Sequence, residues 1–284
     1  MKKKILNKKT KKNKRKTKKG GHPNIKIPDY YKLYCFWTGT NEMSENRKKC
    51  FDTLKNSGLE VVLITENNIN NYIKEPLHEG YEYLSLTHRS DYLRIYFMNF
   101  YGGAYSDIKK TSESFIPSIE LLEKNPNMYG NGFKEIDGGV PDIYDYTEDS
   151  NGEPVFTKNE SLSNELQANW NKLIGNGAYI FKPNTKFTNE WYSNLIKEMD
   201  KRLNNLKKYP ARSPTEQYSE EYHYPIQWAF VGQLFHPLNL KYKDNILNTL
   251  PMLSLNDYRG GKIKESEIYT RVINKDKLSP CNSL

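Results

Sequence analysis

The amino-acid sequence predicts an α/β fold, a mixed and mainly parallel sheet flanked by helices, and three observations carry that class. Leu33 to Trp37 (LYCFW) and Val61 to Ile64 (VVLI) are continuously apolar runs, as strands of a parallel sheet are when both faces are covered. Between them, residues 42 to 57 place Met43, Cys50, Phe51 and Leu54 on one helical face, and Asn56 to Gly58 stops the helix. Strand, helix and strand in so short a span make a βαβ unit. In such sheets ligands bind beyond the carboxyl ends of the strands, where Trp37 and Thr38 stand.

The other elements follow in order. Residues 87 to 101 have the clearest helical pattern, with Leu93, Tyr96, Phe97 and Phe100 on one side and Asp91, Arg94, Ile95 and Met98 on the other. Thr87 or Ser90 is the expected cap and Gly102-Gly103 the stop. Ala104 to Asp107 is extended, which puts Asp107 at the tip of a strand. Residues 132 to 162, rich in Gly, Asp, Asn and Pro, read as a long surface excursion. Tyr179 to Phe181 reads as a strand, residues 186 to 208 as a helix burying Phe187, Trp191, Leu195, Met199, Leu203 and Leu206, and residues 225 to 235 as a shorter helix.

The 284 residues carry 43 Lys and Arg against 34 Asp and Glu, a formal charge of +9. Twelve of those bases stand in residues 1 to 19, which hold no acid, so the rest of the chain has 31 bases against 34 acids. A run of like charges buries too little apolar surface to offset the entropy of ordering it, so residues 1 to 22 are expected to be a disordered Lys-rich tail. Residues 23 to 284 are then one domain, whose 36% apolar and 13% aromatic content (whole-chain figures) suffices for a core. By charge the tail suits anionic surfaces or nucleic acid; the plainer reading is a solvated tail.

No stretch approaches the roughly 20 apolar residues that cross a bilayer, and the N-terminus lacks a signal peptide's apolar stretch, so a soluble, cytoplasmic protein without a transmembrane segment is expected. Cys35, Cys50 and Cys281 are odd in number and lack CxxC spacing, which argues against a disulfide framework and a cysteine zinc site. Lys, Asn and Ile usage suggests an AT-rich genome, such as giant DNA viruses carry, which would place the protein in a host cytoplasm or a virion.

The stretch from His88 to Lys110, HRSDYLRIYFMNFYGGAYSDIKK, concentrates the chemistry. Asp91 and Arg94 stand one helical turn apart, two glycines permit a tight reversal, and Asp107 ends the next strand, so the three point to one crevice. Such a trio can hold sugar hydroxyls, a diphosphate and a divalent cation, because hard cations choose carboxylate and phosphate oxygens. The competing reading is a helix-surface ion pair followed by a β-turn.

Ser90-Asp91-Tyr92-Leu93-Arg94 followed by Tyr101-Gly102-Gly103-Ala104-Tyr105-Ser106-Asp107 resembles the signature of DXD-type sugar transferases. These are the Och1-like mannosyltransferases, the capsular-polysaccharide-synthesis transferases and the glucosyltransferase domains of large clostridial toxins. Phe36 to Gly39 (FWTG) resembles the W-x-G that ends that group's first strand, while GNGAYIFKP and YPIQWAFVGQLFHP further on resemble it loosely. The resemblance covers residues 30 to 112 well. It implies a Rossmann-like GT-A fold and a glycosyltransferase moving a hexose from a UDP- or GDP-sugar donor to an acceptor hydroxyl on a glycan, polysaccharide or protein.

By the resemblance, Trp37 stands beside the nucleotide base, Thr38 next to it binds substrate, and Asp91 and Arg94 hold the donor sugar or its phosphates. Tyr105 lines the nucleotide pocket, and Asp107 binds a divalent cation, usually manganese, that bridges the diphosphate. Taken from the residues alone, Trp37 is a core aromatic and Tyr105 packs under the sheet. Asn176, between two glycines, is either an acceptor-side contact or a turn residue. His223, Trp228 and His236 read as structural residues, the histidines hydrogen-bonded, and Asp257 and Arg259 as residues closing over the donor.

Lys109 stands where the group commonly has a second Asp. Either Asp107 suffices for Mn2+ or Mg2+ with water and phosphate oxygens, or Lys109 or Lys110 neutralises the diphosphate directly. Three functions therefore compete: a glycosyltransferase; a glycosyltransferase fold that has lost catalysis and binds a nucleotide sugar or glycan, for which Lys109 is the motive; and a nucleic-acid-binding protein acting through its basic tail. The first leads, since the body carries the transferase signature and no nucleic-acid motif.

Overall fold

A computed structural model describes residues 27–253; the tail, Asp257, Arg259 and Cys281 lie outside the described residues. The apolar run forms strand β1 (Leu33–Trp37), and helix α1 (Glu45–Thr53) leads by a 3-10 turn (Leu54–Ser57) to β2 (Val61–Thr65). β2 pairs parallel with β1, which completes the expected βαβ unit. Two details differ from the sequence reading. The inward residues of α1 are Arg47 and Cys50, with Leu54 beyond them, while Met43 precedes the helix. β2 is an edge strand with only alternate residues buried, so its unbroken apolar run reflects half-burial on one face.

Helix α2 (Leu86–Phe100) is capped by Ser85, whose hydroxyl accepts from His88 N, and not by Thr87 or Ser90. It is buried almost all round, the side carrying Asp91 and Arg94 included, because elements from later in the chain cover that side. Gly102 and Gly103, at φ +65° and +88°, reverse the chain into β3 (Gly103–Ser106), which pairs parallel with β1. Helix α3 (Ile116–Lys124) and strand β4 (Gly130–Lys134) follow.

Residues 132 to 162 are more ordered than a surface excursion. They hold the end of β4 and a hairpin of β5 (Tyr144–Glu148) and β6 (Pro154–Lys158). The hairpin is held by side chains far along the chain: Asn205 donates to the Tyr146 hydroxyl at 3.0 Å and to the Gly152 carbonyl at 3.0 Å, and Phe156 packs on Tyr218. Helix α4 (Glu160–Ala168) then leads to β7 (Ile174–Phe181), a strand more than twice the length expected. Helix α5 (Lys186–Lys208) matches its expected span; Arg202 and Asn205 are buried on it, while Leu203 is half-buried. Helix α6 (Phe230–Lys241) begins later than residue 225, since Arg202 Nε holds the Pro225 carbonyl at 3.0 Å in a loop. The last strand described is β8 (Ile246–Leu247).

The main sheet has the order β2-β1-β3-β7-β4-β8, and β7 alone runs against its neighbours. Alternation along β1 sorts the core into two layers. Tyr34 and Phe36 join α2, α5 and α6 on one face, while Leu33, Cys35 and Trp37 join α1 and α3 on the other. The expected class, a mainly parallel sheet flanked by helices, is the observed one. Among the described residues no helix is long and apolar enough to cross a membrane, and the buried Cys35 and Cys50 form no disulfide.

Candidate functional site

The carboxyl ends of β1 and β3 and the amino end of the reversed β7 share one edge of the sheet, and α2 runs beside it. Arg94 stands at the centre of the cluster that this edge assembles. Its Nη2 lies 3.0 Å from Asp91 Oδ1, one turn back on α2, and 3.8 Å from Asp107 Oδ1. Its Nη1 donates to the Asn176 carbonyl at 3.1 Å, and its guanidinium lies over the Tyr105 ring at 4.4 Å. Tyr105 in turn donates its hydroxyl to Asp107 Oδ1 at 2.6 Å, and Lys109 Nζ lies 2.9 Å from Asp107 Oδ2. The structure thus brings together six of the sequence-predicted residues: Asp91, Arg94, Tyr105, Asp107, Lys109 and Asn176.

Burial sets the electrostatics. It pushes the Asp91 carboxyl up to about 6, against the pull of Arg94, because an ionised carboxylate is costly away from water. Burial pushes Asp107 in the same direction, but Lys109, Arg94 and the Tyr105 hydroxyl outweigh it and hold that carboxyl below its ordinary value. Asp107 is therefore an ionised acid with positive neighbours, while Asp91 is an acid poised closer to neutrality. The side chains of Asp107 and Lys109 remain 13% and 25% exposed, which makes them the mouth of the cluster. Arg94 Nε and the Tyr179 hydroxyl, both buried beside it, have no hydrogen-bond partner among the described residues.

Trp37 and Thr38 lie at the end of β1 but direct their polar atoms elsewhere. Trp37 is 6% exposed in the layer with α1 and α3, and its Nε1 donates to the Asn41 carbonyl at 2.6 Å. Thr38 donates to the Leu86 carbonyl at 2.7 Å, tying β1 to the start of α2. Asn176 sits within β7 and not in a turn; it is its main-chain oxygen that meets Arg94. His236 is buried between Glu135, at 3.1 Å, and the Gly232 carbonyl, at 3.1 Å, and His223 pairs with Glu153 on the hairpin, so both histidines are hydrogen-bonded. Trp228 is half-buried.

Sequence reasoning missed Arg47. It is 2% exposed and donates to the Ile108 carbonyl at 2.5 Å, between Asp107 and Lys109. The spacing of Arg47 to Cys50 and Leu54, three and seven residues, was the available signal, since it puts the arginine on the inward stripe.

A divalent cation at Asp107 is a poor fit for these side chains. Asp107 Oδ2 is engaged by Lys109 and Oδ1 by Tyr105, the nearest other carboxylate is paired with Arg94, and among the described residues no group of three or more His, Cys, Asp or Glu is arranged to hold a metal.

A family model described as capsular polysaccharide synthesis protein matches residues 1–109. No curated protein and no solved structure matches the chain. The matched span is less than half of the 284 residues, yet it takes in β1 to β3 and reaches Asp91, Arg94, Asp107 and Lys109. The match supports a glycosyltransferase-like chain, the same kind that the S-D-x-x-R and Y-G-G-x-Y-x-D segments resemble.

Proposed function

We propose that the protein is a glycosyltransferase that moves a hexose from a nucleoside-diphosphate sugar to an acceptor hydroxyl on a glycan, polysaccharide or protein. The observation that carries this reading is the convergence of Asp91, Arg94, Asp107 and Lys109 on the carboxyl edge of the sheet. In the reaction the bond between the anomeric carbon and the β-phosphate oxygen breaks, and its electron pair stays on the nucleoside diphosphate. The acceptor oxygen bonds to the anomeric carbon, and its proton passes to the departing phosphate or to solvent. Asp91, with Arg94 Nε and the Tyr179 hydroxyl beside it, suits the hydroxyls of a donor sugar, and Arg94 and Lys109 suit the charge that grows on the departing diphosphate.

The test is a transfer and donor-hydrolysis assay across UDP- and GDP-sugars, with Asp91→Ala and Asp107→Ala measured separately. Each is expected to lower turnover by about 100-fold or more, the usual effect of removing a group that orients or stabilises the transition state. Turnover unchanged in both variants removes the site assignment. Stabilisation by a nucleotide sugar without turnover favours a binding protein on the same fold, a reading that Lys109 in place of a second acid supports.

A further inference from the structure

On the reading that this cluster meets a nucleoside diphosphate, we propose that Lys109 is the resident cation of the site, so that the diphosphate is held by its ammonium and not through a divalent metal. The backbone builds this arrangement. Lys109 N donates to the Asp107 carbonyl at 2.7 Å, closing Asp107-Ile108-Lys109 into a three-residue turn. The turn is pinned at its first and central residues: Asp107 N donates to the Gly177 carbonyl at 2.8 Å, and the Ile108 carbonyl accepts from buried Arg47 at 2.5 Å. The turn folds the Lys109 side chain back so that Nζ meets Asp107 Oδ2 at 2.9 Å. A second carboxylate two residues after Asp107 would share a metal with it; the residue at that position brings a positive charge instead. A metal on Oδ2 would stand beside the lysine's positive charge, whereas an ammonium, with three N–H donors, can join the Asp107 carboxylate to a phosphate oxygen. Asp107 on this account is the anion that holds Lys109 in place.

Isothermal titration of the full-length protein with UDP and with GDP, each in excess EDTA and in excess MnCl2, decides the matter. The nucleotide that binds is expected to do so with equal affinity in both conditions. Lys109→Met is expected to weaken it about tenfold or more, the loss of a charge-assisted hydrogen bond. Lys109→Asp is expected to lose binding in EDTA and to regain it with manganese. Circular dichroism checks that both variants fold, and the wild-type comparison needs no variant. Wild-type binding that appears only with manganese overturns the role of Lys109 and leaves the glycosyltransferase reading standing. Binding of neither nucleotide in either condition overturns both.

Discussion

Arg47 on α1 donates a hydrogen bond to the carbonyl of Ile108, 61 residues further along the chain, and so ties the first helix to the turn that carries Asp107 and Lys109. Arg47→Met keeps much of the buried stem and removes the donor. The exposed cost is a buried carbonyl without its partner, so stability is expected to fall by about 1–3 kcal/mol in urea unfolding. Nucleotide affinity is expected to fall with it, since Lys109 loses its fixed turn.

Removing the central cation should cost more than neutralising Asp91. Arg94→Met leaves Asp91 and Asp107 facing each other in a buried setting, and a loss of about 3–5 kcal/mol is expected, as for other broken buried pairs. Asp91→Asn is expected to cost less, about 1–2 kcal/mol, because burial already brings the neutral form of that acid within reach. Denaturant midpoints at pH 7 rank the two, and the opposite order would mean that Arg94 is not the hub.

Acid stability should report His88. This residue is fully buried beside Ser85 and Tyr224, and burial lowers its pKa from 6.5 to about 3. The folded state keeps the imidazole neutral while the unfolded chain takes up the proton, so its contribution is complete above pH 6.5 and is lost progressively as pH falls towards 3. Stability measured from pH 7 to pH 3 should therefore fall less steeply in His88→Gln than in the parent chain. Parallel curves would show that His88 does not titrate differently in the two states.

The reversal before β3 should tolerate no side chain. At Gly103 the backbone is left-handed, and a Cβ would lie 2.8 Å from the Lys32 carbonyl and 3.0 Å from that of Tyr30. Gly103→Ala is expected to destabilise by more than about 2 kcal/mol, strain and clash together. Gly152 in the hairpin turn has a similar φ of +77° but open space around it, so Gly152→Ala should cost only about 1 kcal/mol. Equal losses at the two positions would mean that φ alone, and not the approach of the Tyr30 and Lys32 carbonyls ahead of β1, sets the cost at Gly103.

The parts legible from the sequence were those coded by neighbours in the chain. LYCFW and VVLI declared strands through unbroken apolar runs, and the spacing of Asp91, Arg94 and Asp107 about a Gly-Gly reversal placed three charged groups at one edge. β4 was not legible. Its GNGFK has glycine where strand formers are usual, and the reason lies across the sheet: a Cβ at Gly130 would lie 2.5 Å from Phe181, and one at Gly132 2.5 Å from Ile174. Those contacts exist only once β7 runs antiparallel beside β4.

The sequence by itself determined the α/β class and the order of its first elements, and it drew Asp91, Arg94, Asp107 and Lys109 together as candidates, because each depends on periodicity and spacing over a few residues. Tertiary structure decided which way β7 runs, that the Asp91 side of α2 is buried, and that Arg47 reaches Ile108. It also decided the partners of Asp107: Tyr105, Lys109 and Arg94 meet it through a tight turn and a covered helix face. Those distances follow from packing between segments remote in the chain, and they give two chemically identical buried carboxyls different proton affinities: burial prevails at Asp91, while Lys109, Arg94 and the Tyr105 hydroxyl outweigh it at Asp107.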